Sequence, residues 1–203
     1  QFCKKDIEAF APDALIFIDY PGFNMRIAQW AKIKGIPTHY YISPQIWAWK
    51  ENRIKAVKRD FDQLYVILPF EKEFYEQKHH FPVHFVGHPL IDAIHSRQAL
   101  DKATFIAQNQ LEDKPIIAVL PGSRKQEITK MLGIMLSVAD TFKDYQFVIA
   151  GTTNLPKEAY QMAIDMGLKV VFNQTYALMH NAHAGIIKSG TSTLESALFR
   201  LPQ

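Results

Sequence analysis

Ile116-Ile117-Ala118-Val119-Leu120 is an apolar run that leads straight into Pro121-Gly122-Ser123-Arg124-Lys125-Gln126-Glu127. Read as a strand entering a helix, the segment points backbone N–H groups and the positive end of a helix dipole at whatever fills the turn. Gly122 permits close backbone approach, Ser123 adds a hydroxyl, and the Arg124 guanidinium offers a planar fork for phosphate oxygens. The same residues also fit a plain helix cap, because Ser123 and Gln126 stand in capping-box spacing. Both readings stand on these residues alone. A P-loop is excluded by the lack of a following Gly-Lys-Ser/Thr, and the G-x-G-x-x-G dinucleotide fingerprint is absent.

Ile186-Ile187-Lys188-Ser189-Gly190-Thr191-Ser192-Thr193-Leu194-Glu195 repeats the arrangement. Ser189, Gly190, Thr191 and Ser192 suit a second phosphate contact, and Glu195, one turn into the helix, could accept sugar hydroxyls. Here too a capping box, Ser192 with Glu195, is the plainer alternative. Two such loops after different strands of one half of the chain point to a nucleotide site. A third polar turn, Asp19-Tyr20-Pro21-Gly22-Phe23-Asn24, follows Phe17-Ile18. An acid placed there could be a general base, although the residues alone favour a helix cap.

Residues 47–59 hold five cations, one anion and two tryptophans, a composition that could meet anionic headgroups or a substrate phosphate. A solvated helix face accounts for most of those charges. His79, His80, His84 and His88 lack metal-ligand spacing, so no metal and no cofactor are expected. Cys3 stands in no motif.

The elements that must carry these turns alternate in type along the chain, which is the pattern of βα units and parallel sheet. Strands are expected over 14–18, 38–42, 64–68 and 83–86. Helices are expected over 25–34, where Ile27, Trp30 and Ala31 face inward and Gly35 closes the turn, and over 47–59 and 71–78. A polar stretch, 92–113, reads as a helix-containing connection. Beyond it, strands are expected over 116–120, 146–149, 170–172 and 184–187. Helices are expected over 126–142, after Pro156, over 176–181 and over 192–200. Two α/β halves, 1–91 and 114–203, follow from this.

Composition fits an ordinary globular protein: 203 residues, 48% apolar, with 23 Lys plus Arg against 20 Asp plus Glu. A net charge of +3 does not argue for nucleic acid by itself. A single cysteine fits a reducing compartment. No apolar run reaches the ~20 residues of a membrane span, and the N-terminus lacks a signal-peptide layout.

Taken together, Ile18-Asp19-Tyr20-Pro21-Gly22-Phe23-Asn24, Tyr41-Ile42-Ser43-Pro44-Gln45-Ile46-Trp47-Ala48-Trp49, Leu68-Pro69-Phe70-Glu71, Phe85-Val86-Gly87-His88-Pro89 and the two Gly loops resemble the lipid-A-disaccharide synthases. The Ser-Pro-x-x-Trp-Ala-Trp stretch is the most specific of these. The resemblance implies a glycosyltransferase-B architecture, with two Rossmann-like domains facing across a cleft, here expected as a fragment lacking both ends. It implies an acceptor-side domain over 1–91 and a UDP-sugar-binding domain over 114–203. The implied reaction moves 2,3-diacylglucosamine from UDP-2,3-diacylglucosamine to 2,3-diacylglucosamine 1-phosphate, with inversion, at the inner face of the inner membrane. Asp19 would be the base. Many members carry a second acid where this chain has Gly22, so Asp19 alone carries a catalytic carboxylate over. Arg124 and the helix N-termini would offset the diphosphate charge. The implied partners are the two lipid substrates and the cytoplasmic membrane surface, without nucleic acid; a homo-oligomer is compatible with it. Other readings are a UDP-GlcNAc 2-epimerase-like enzyme and a non-catalytic nucleotide-binding chain.

Overall fold

The computed structural model describes residues 2–96 and 100–203. The chain divides into two compact units, Gln1–Asp92 and Ala93–Gln203. Each is an α/β unit built on one four-stranded parallel sheet.

In the first unit the strands β1 (Leu15–Ile18), β2 (Thr38–Tyr41), β3 (Gln63–Val66) and β4 (His84–Phe85) lie side by side in chain order. Sequential parallel strands require crossovers of one hand, which sends the connecting helices to one face. Those helices are α2 (Pro21–Ile33), α3 (Ile54–Asp60) and α4 (Pro69–Glu73). The register Phe17–Tyr40–Leu64 forms an inward row, joined in the core by Ile27, Ala28, Val57 and Tyr75. On the other face Ile16 and Ile18 are 68% and 57% exposed, and His39, Tyr65 and His84 form a ring stack. The 3.6-residue period of α2 is visible in its buried residues Asn24, Ile27, Ala28 and Ala31. Gly35 ends it with φ 75°, the left-handed conformation that glycine adopts without steric penalty.

One element is additional to those expected, and two expectations change. A helix α1 (Phe2–Phe10) precedes β1, with Cys3 and Ile7 against the core. The helix expected from 47 begins only at Ile54, after a 3₁₀ turn at Glu51–Arg53. Lys50, at φ 59°, breaks the path, and Ile46 is drawn into the core. The helix expected over 71–78 is α4 followed by a wider turn at Phe74–Lys78.

The second unit has strand order β7-β6-β5-β8, from β5 (Ile116–Leu120), β6 (Gln146–Gly151), β7 (Lys169–Phe172) and β8 (Ala184–Ile187). Both faces of this sheet are covered, and the two-residue period of β5 divides its side chains between them. Ile116, Ala118 and Leu120 join Phe105, Leu178 and Met179 in one core. Val119 joins Ile128, Leu132, Phe147 and Tyr160 in the other. The first face carries α9 (Thr175–Asn181) and the second carries α7 (Lys125–Leu136) and α8 (Gln161–Asp165). α7 stops at Leu136 rather than 142, where the Ser137 hydroxyl donates to the Ile134 carbonyl at 2.8 Å. The stretch 92–113 continues α5 (Pro89–His95) and holds α6 (Lys102–Asn109), whose Phe105 is buried in the second unit. Residues 97–99 of that stretch lie outside the described residues. The final helix, α10, spans Thr191–Leu198.

Candidate functional site

The second sheet reverses its winding at β5: β6 and β7 extend to one side, and β8 returns to the other. In an open parallel sheet, ligands bind beyond the strand carboxyl ends at such a switch point, because the loops there diverge to opposite faces. The loops after β5 and β8 flank this point and open into a cleft of about 720 Å³. Gly122, Ser123, Arg124, Gly190, Thr191, Ser192 and Glu195 all line it. Ser189 is exposed on the same loop and is not part of the lining.

Gly122 has φ 109°, and a Cβ built there would lie 2.4 Å from Glu127 Oε2, so this position needs glycine on two counts. The expected cap of Ser123 by Gln126 is not what forms. Arg124 is the N-cap of α7, and Glu127 folds back so that Oε2 accepts the N–H groups of Ser123 and Arg124, at 3.1 and 3.3 Å. Glu127 Oε1 accepts Lys188 Nζ at 3.0 Å and lies 3.9 Å from Arg124 Nη1. The hydrogen bond from Lys188 is the leading reason its carboxyl sits below the usual range. Glu127 and Lys188 line the cleft in addition to the residues expected from the sequence. The signal was Lys188 ending the β8 run, where a side chain turns into the crevice.

At the second loop, Gly190 is the N-cap of α10, and the Thr193 hydroxyl donates to its carbonyl at 2.6 Å. The capping box expected between Ser192 and Glu195 is absent. Glu195 instead accepts the Tyr176 hydroxyl at 2.7 Å. Its carboxylate is thereby held in the cleft wall, free of a capping role. The cleft lining thus combines two helix N-termini, the cations Arg124 and Lys188, and the acids Glu127 and Glu195. Arg124 is 84% exposed, so its guanidinium has room to turn toward an anion.

Asp19 belongs to the first unit, at the carboxyl end of β1, and is exposed. Asp19 and Tyr20 both have φ 46°, an unfavourable conformation for a bulky side chain such as Tyr. Asn24, buried on α2, holds this turn through its Nδ2, which donates to the carbonyls of Ile18 at 3.1 Å and Asp19 at 2.6 Å. The Tyr40 hydroxyl donates to the Asp19 carbonyl at 2.7 Å. Burial pushes the Tyr40 hydroxyl up to about 12, so it stays protonated as a donor at physiological pH. The N-cap of α2 is Tyr20 with no side-chain cap bond, so the expected alternative, Asp19 as a cap, does not form. Backbone strain and a fixed turn therefore present this carboxylate outward.

The most specific stretches of the sequence meet at Glu71, which is only 1% exposed. It accepts from Ser43 Oγ at 3.4 Å, Trp47 Nε1 at 3.2 Å, and the N–H groups of Ile67 at 3.1 Å and Leu68 at 2.8 Å. Both oxygens are satisfied, which makes burial of the carboxylate tolerable. On the surface beside this hub, Lys50 Nζ and Arg53 Cζ stand 4.4 and 5.4 Å from the Trp49 ring centre, and Trp47 packs edge-on to Phe70 at 4.8 Å. Among the described residues, no three His, Cys, Asp or Glu side chains gather as a metal site.

The profile of the lipid-A-disaccharide synthetase family matches residues 1–203. The chain belongs to this family. It is 40% identical over 207 residues to the lipid-A-disaccharide synthase of Coxiella burnetii (strain Dugway 5J108-111), covering all of this chain and 54% of that protein. It is 43% identical over 213 residues to lipid-A-disaccharide synthase 1 of Legionella pneumophila (strain Paris), with the same coverage. The chain thus spans about half the length of the curated relatives it matches. Among solved structures, S. aureus MnaA bound to UDP has a TM-score of 0.68 at 14% identity, covering 98% of this chain and 58% of that one. The UDP-GlcNAc 2-epimerase of Methanocaldococcus jannaschii has a TM-score of 0.61 at 14% identity, covering 98% and 62%. These likenesses support the expected glycosyltransferase-B-type fold, of which this family member is a part.

Proposed function

We propose that this chain supplies the switch-point nucleotide cleft and the catalytic base of an inverting lipid-A-disaccharide synthase. The observation that carries the reading is the convergence of two helix N-termini, Arg124 and Glu195 on one crevice, in a member of this family. UDP-2,3-diacylglucosamine is the donor and 2,3-diacylglucosamine 1-phosphate the acceptor. The acceptor 6-hydroxyl oxygen attacks C1 of the donor, and Asp19 takes the hydroxyl proton as the new C–O bond forms. The bond from C1 to the diphosphate oxygen breaks, and the electron pair leaves with UDP. Arg124 and the N-termini of α7 and α10 stabilise the charge that develops there. One displacement inverts the donor's α-configuration to a β-1,6 linkage.

A chain of the relatives' full length, incubated with both lipids, is expected to yield a disaccharide 1-phosphate and UDP in equal amounts. An epimerised sugar nucleotide with no disaccharide would instead identify the 2-epimerase reading, which the solved neighbours keep in view. UDP binding with neither product would leave a nucleotide-binding role alone.

Both substrates carry acyl chains, so the reading places the protein on the cytoplasmic membrane surface. No helix among the described residues is long and apolar enough to cross a membrane. The Trp47, Trp49, Lys50, Arg53 and Phe70 cluster has the aromatic and cationic chemistry of an interfacial contact. Binding to anionic vesicles is expected to weaken as salt rises, and to fall when Lys50, Arg53 and Lys55 are neutralised together. Flotation that ignores both changes would remove this surface from the account.

A further inference from the structure

The cleft already contains an anion of its own. Glu127 collects two backbone N–H groups from the loop after β5, the Lys188 ammonium, and the outer edge of the Arg124 guanidinium. Those are donors of the kind that a phosphate group would use. Lys188 is placed where it can serve either loop: its Nζ bonds Glu127 at 3.0 Å and lies 3.8 Å from the position a Gly190 Cβ would take. Its backbone N–H donates to the Leu120 carbonyl at 2.9 Å, which fixes the residue at the mouth between β5 and β8. A helix cap alone needs only the two N–H contacts. The ion pair to a lysine on the neighbouring loop, 61 residues away, is additional to capping.

We propose that Lys188 is a further diphosphate ligand, and that Glu127 is the internal carboxylate which holds it until a nucleotide diphosphate takes its place. The proposal rests on the nucleotide reading of this cleft. A diphosphate entering beside an ionised Glu127 meets like charge. Binding therefore requires Lys188 to exchange its carboxylate partner for phosphate oxygen, with Glu127 retained on the N–H groups or turned aside. The consequence is a higher concentration threshold for occupancy. Small anions bring only phosphate contacts and must compete with a carboxylate that is tethered in place. A nucleotide adds base and ribose contacts, which remain available whatever Glu127 does. Glu127 thus lowers affinity for inorganic anions and for UDP alike, but UDP alone has other contacts to offset the loss.

The test is calorimetric titration of the full-length protein with UDP, inorganic pyrophosphate and uridine. Glu127→Gln keeps the side-chain shape and an acceptor for the N–H groups while releasing Lys188. It is expected to tighten both UDP and pyrophosphate by roughly tenfold, the low end of what an opposite charge, here the released Lys188, does to an ionisation equilibrium at about 4–6 Å. Uridine affinity stays unchanged. Lys188→Met is expected to weaken UDP and pyrophosphate, and in the double variant the gain from Glu127→Gln shrinks to the part that comes from relieved like-charge repulsion alone. Glu127→Met, neutral and of similar length, is the second variant if the Gln protein melts early, and the same tightening is expected.

Unchanged or weaker UDP binding in the neutral variants overturns the exchange and makes Glu127 a positioning residue. A gain that is undiminished without Lys188 overturns the assignment of Lys188. If uridine shifts in parallel, the substitution has disturbed the cleft as a whole, and the proposal falls. Absence of UDP binding by the unsubstituted protein refutes the nucleotide reading itself, an outcome distinct from the others.

Discussion

Asp19→Asn is expected to lower kcat by about 10²–10⁴ in a chain of the relatives' full length, the range that general-base assistance provides. The substitution keeps the shape of the side chain and removes its basicity. UDP affinity should hold, because the proposed nucleotide contacts all come from the second unit. The structural alternative for this residue is weak: its carboxylate does not cap α2, and the bonds that fix the turn use its backbone carbonyl. Asn is also among the residues that best tolerate the left-handed conformation found at position 19, so the variant should fold. A thermal melt tests that directly. A variant that melts normally and turns over at the wild-type rate would end the catalytic assignment. The contrast with Asn24→Ala is informative. That change removes the side chain holding the Ile18 and Asp19 carbonyls, so it should reduce kcat through misplacement of an intact base while also lowering stability.

Elements whose side chains alternate or repeat were readable from the sequence because burial imposes the period. The strand expected over 116–120 is β5, residue for residue, since both faces of that sheet are covered and only apolar residues are tolerated there. The segment from 47 to 53 departs from the expected helix. Its charges look like a helix face, but tertiary contacts decide its path: Ile46 enters the core, Trp47 bonds Glu71, and Lys50 takes φ 59°. No local pattern announces a partner 24 residues away. The cleft loops were found because a Gly turn after a strand is a local signal. Their internal bonding was not, because Glu127 chooses among several donors that only the fold assembles. Spacing alone favoured Gln126 and Ser123 as the capping pair, yet the acid one residue later can bridge to Lys188 and the amide cannot match that charge. The capping role suggested for Glu195 fails because α10 has Gly190 as its N-cap, which leaves Ser192 inside the helix, and Glu195 accepts instead from Tyr176, 19 residues before it.

Arg124→Ala and Glu195→Ala should separate the two ends of the proposed nucleotide. The Arg124 side chain is exposed and, among the described residues, its ion pair is a long contact to Glu127, so its present environment contributes little to stability, and its removal should leave the fold intact. Bound to a diphosphate it would make charge-assisted hydrogen bonds, each worth roughly 1.5–3 kcal/mol, or about 10–150-fold in affinity. The loss is therefore expected for UDP and not for uridine, and it should shrink as salt rises. Glu195 stands one turn into α10 with one oxygen taken by Tyr176, leaving the carboxylate oriented as an acceptor for ribose hydroxyls. Its removal should weaken UDP and uridine by the same factor, because both carry the ribose. Tyr176→Phe should reproduce part of that loss, since the ring stays against Phe199 while the hydroxyl that steadies Glu195 is gone. The pair of ligands makes the comparison decisive. If Arg124→Ala affects uridine as much as UDP, the guanidinium is acting on the shape of the cleft and not on phosphate. If neither variant changes either affinity, the two loops are helix caps, and the nucleotide must be sought elsewhere on the chain.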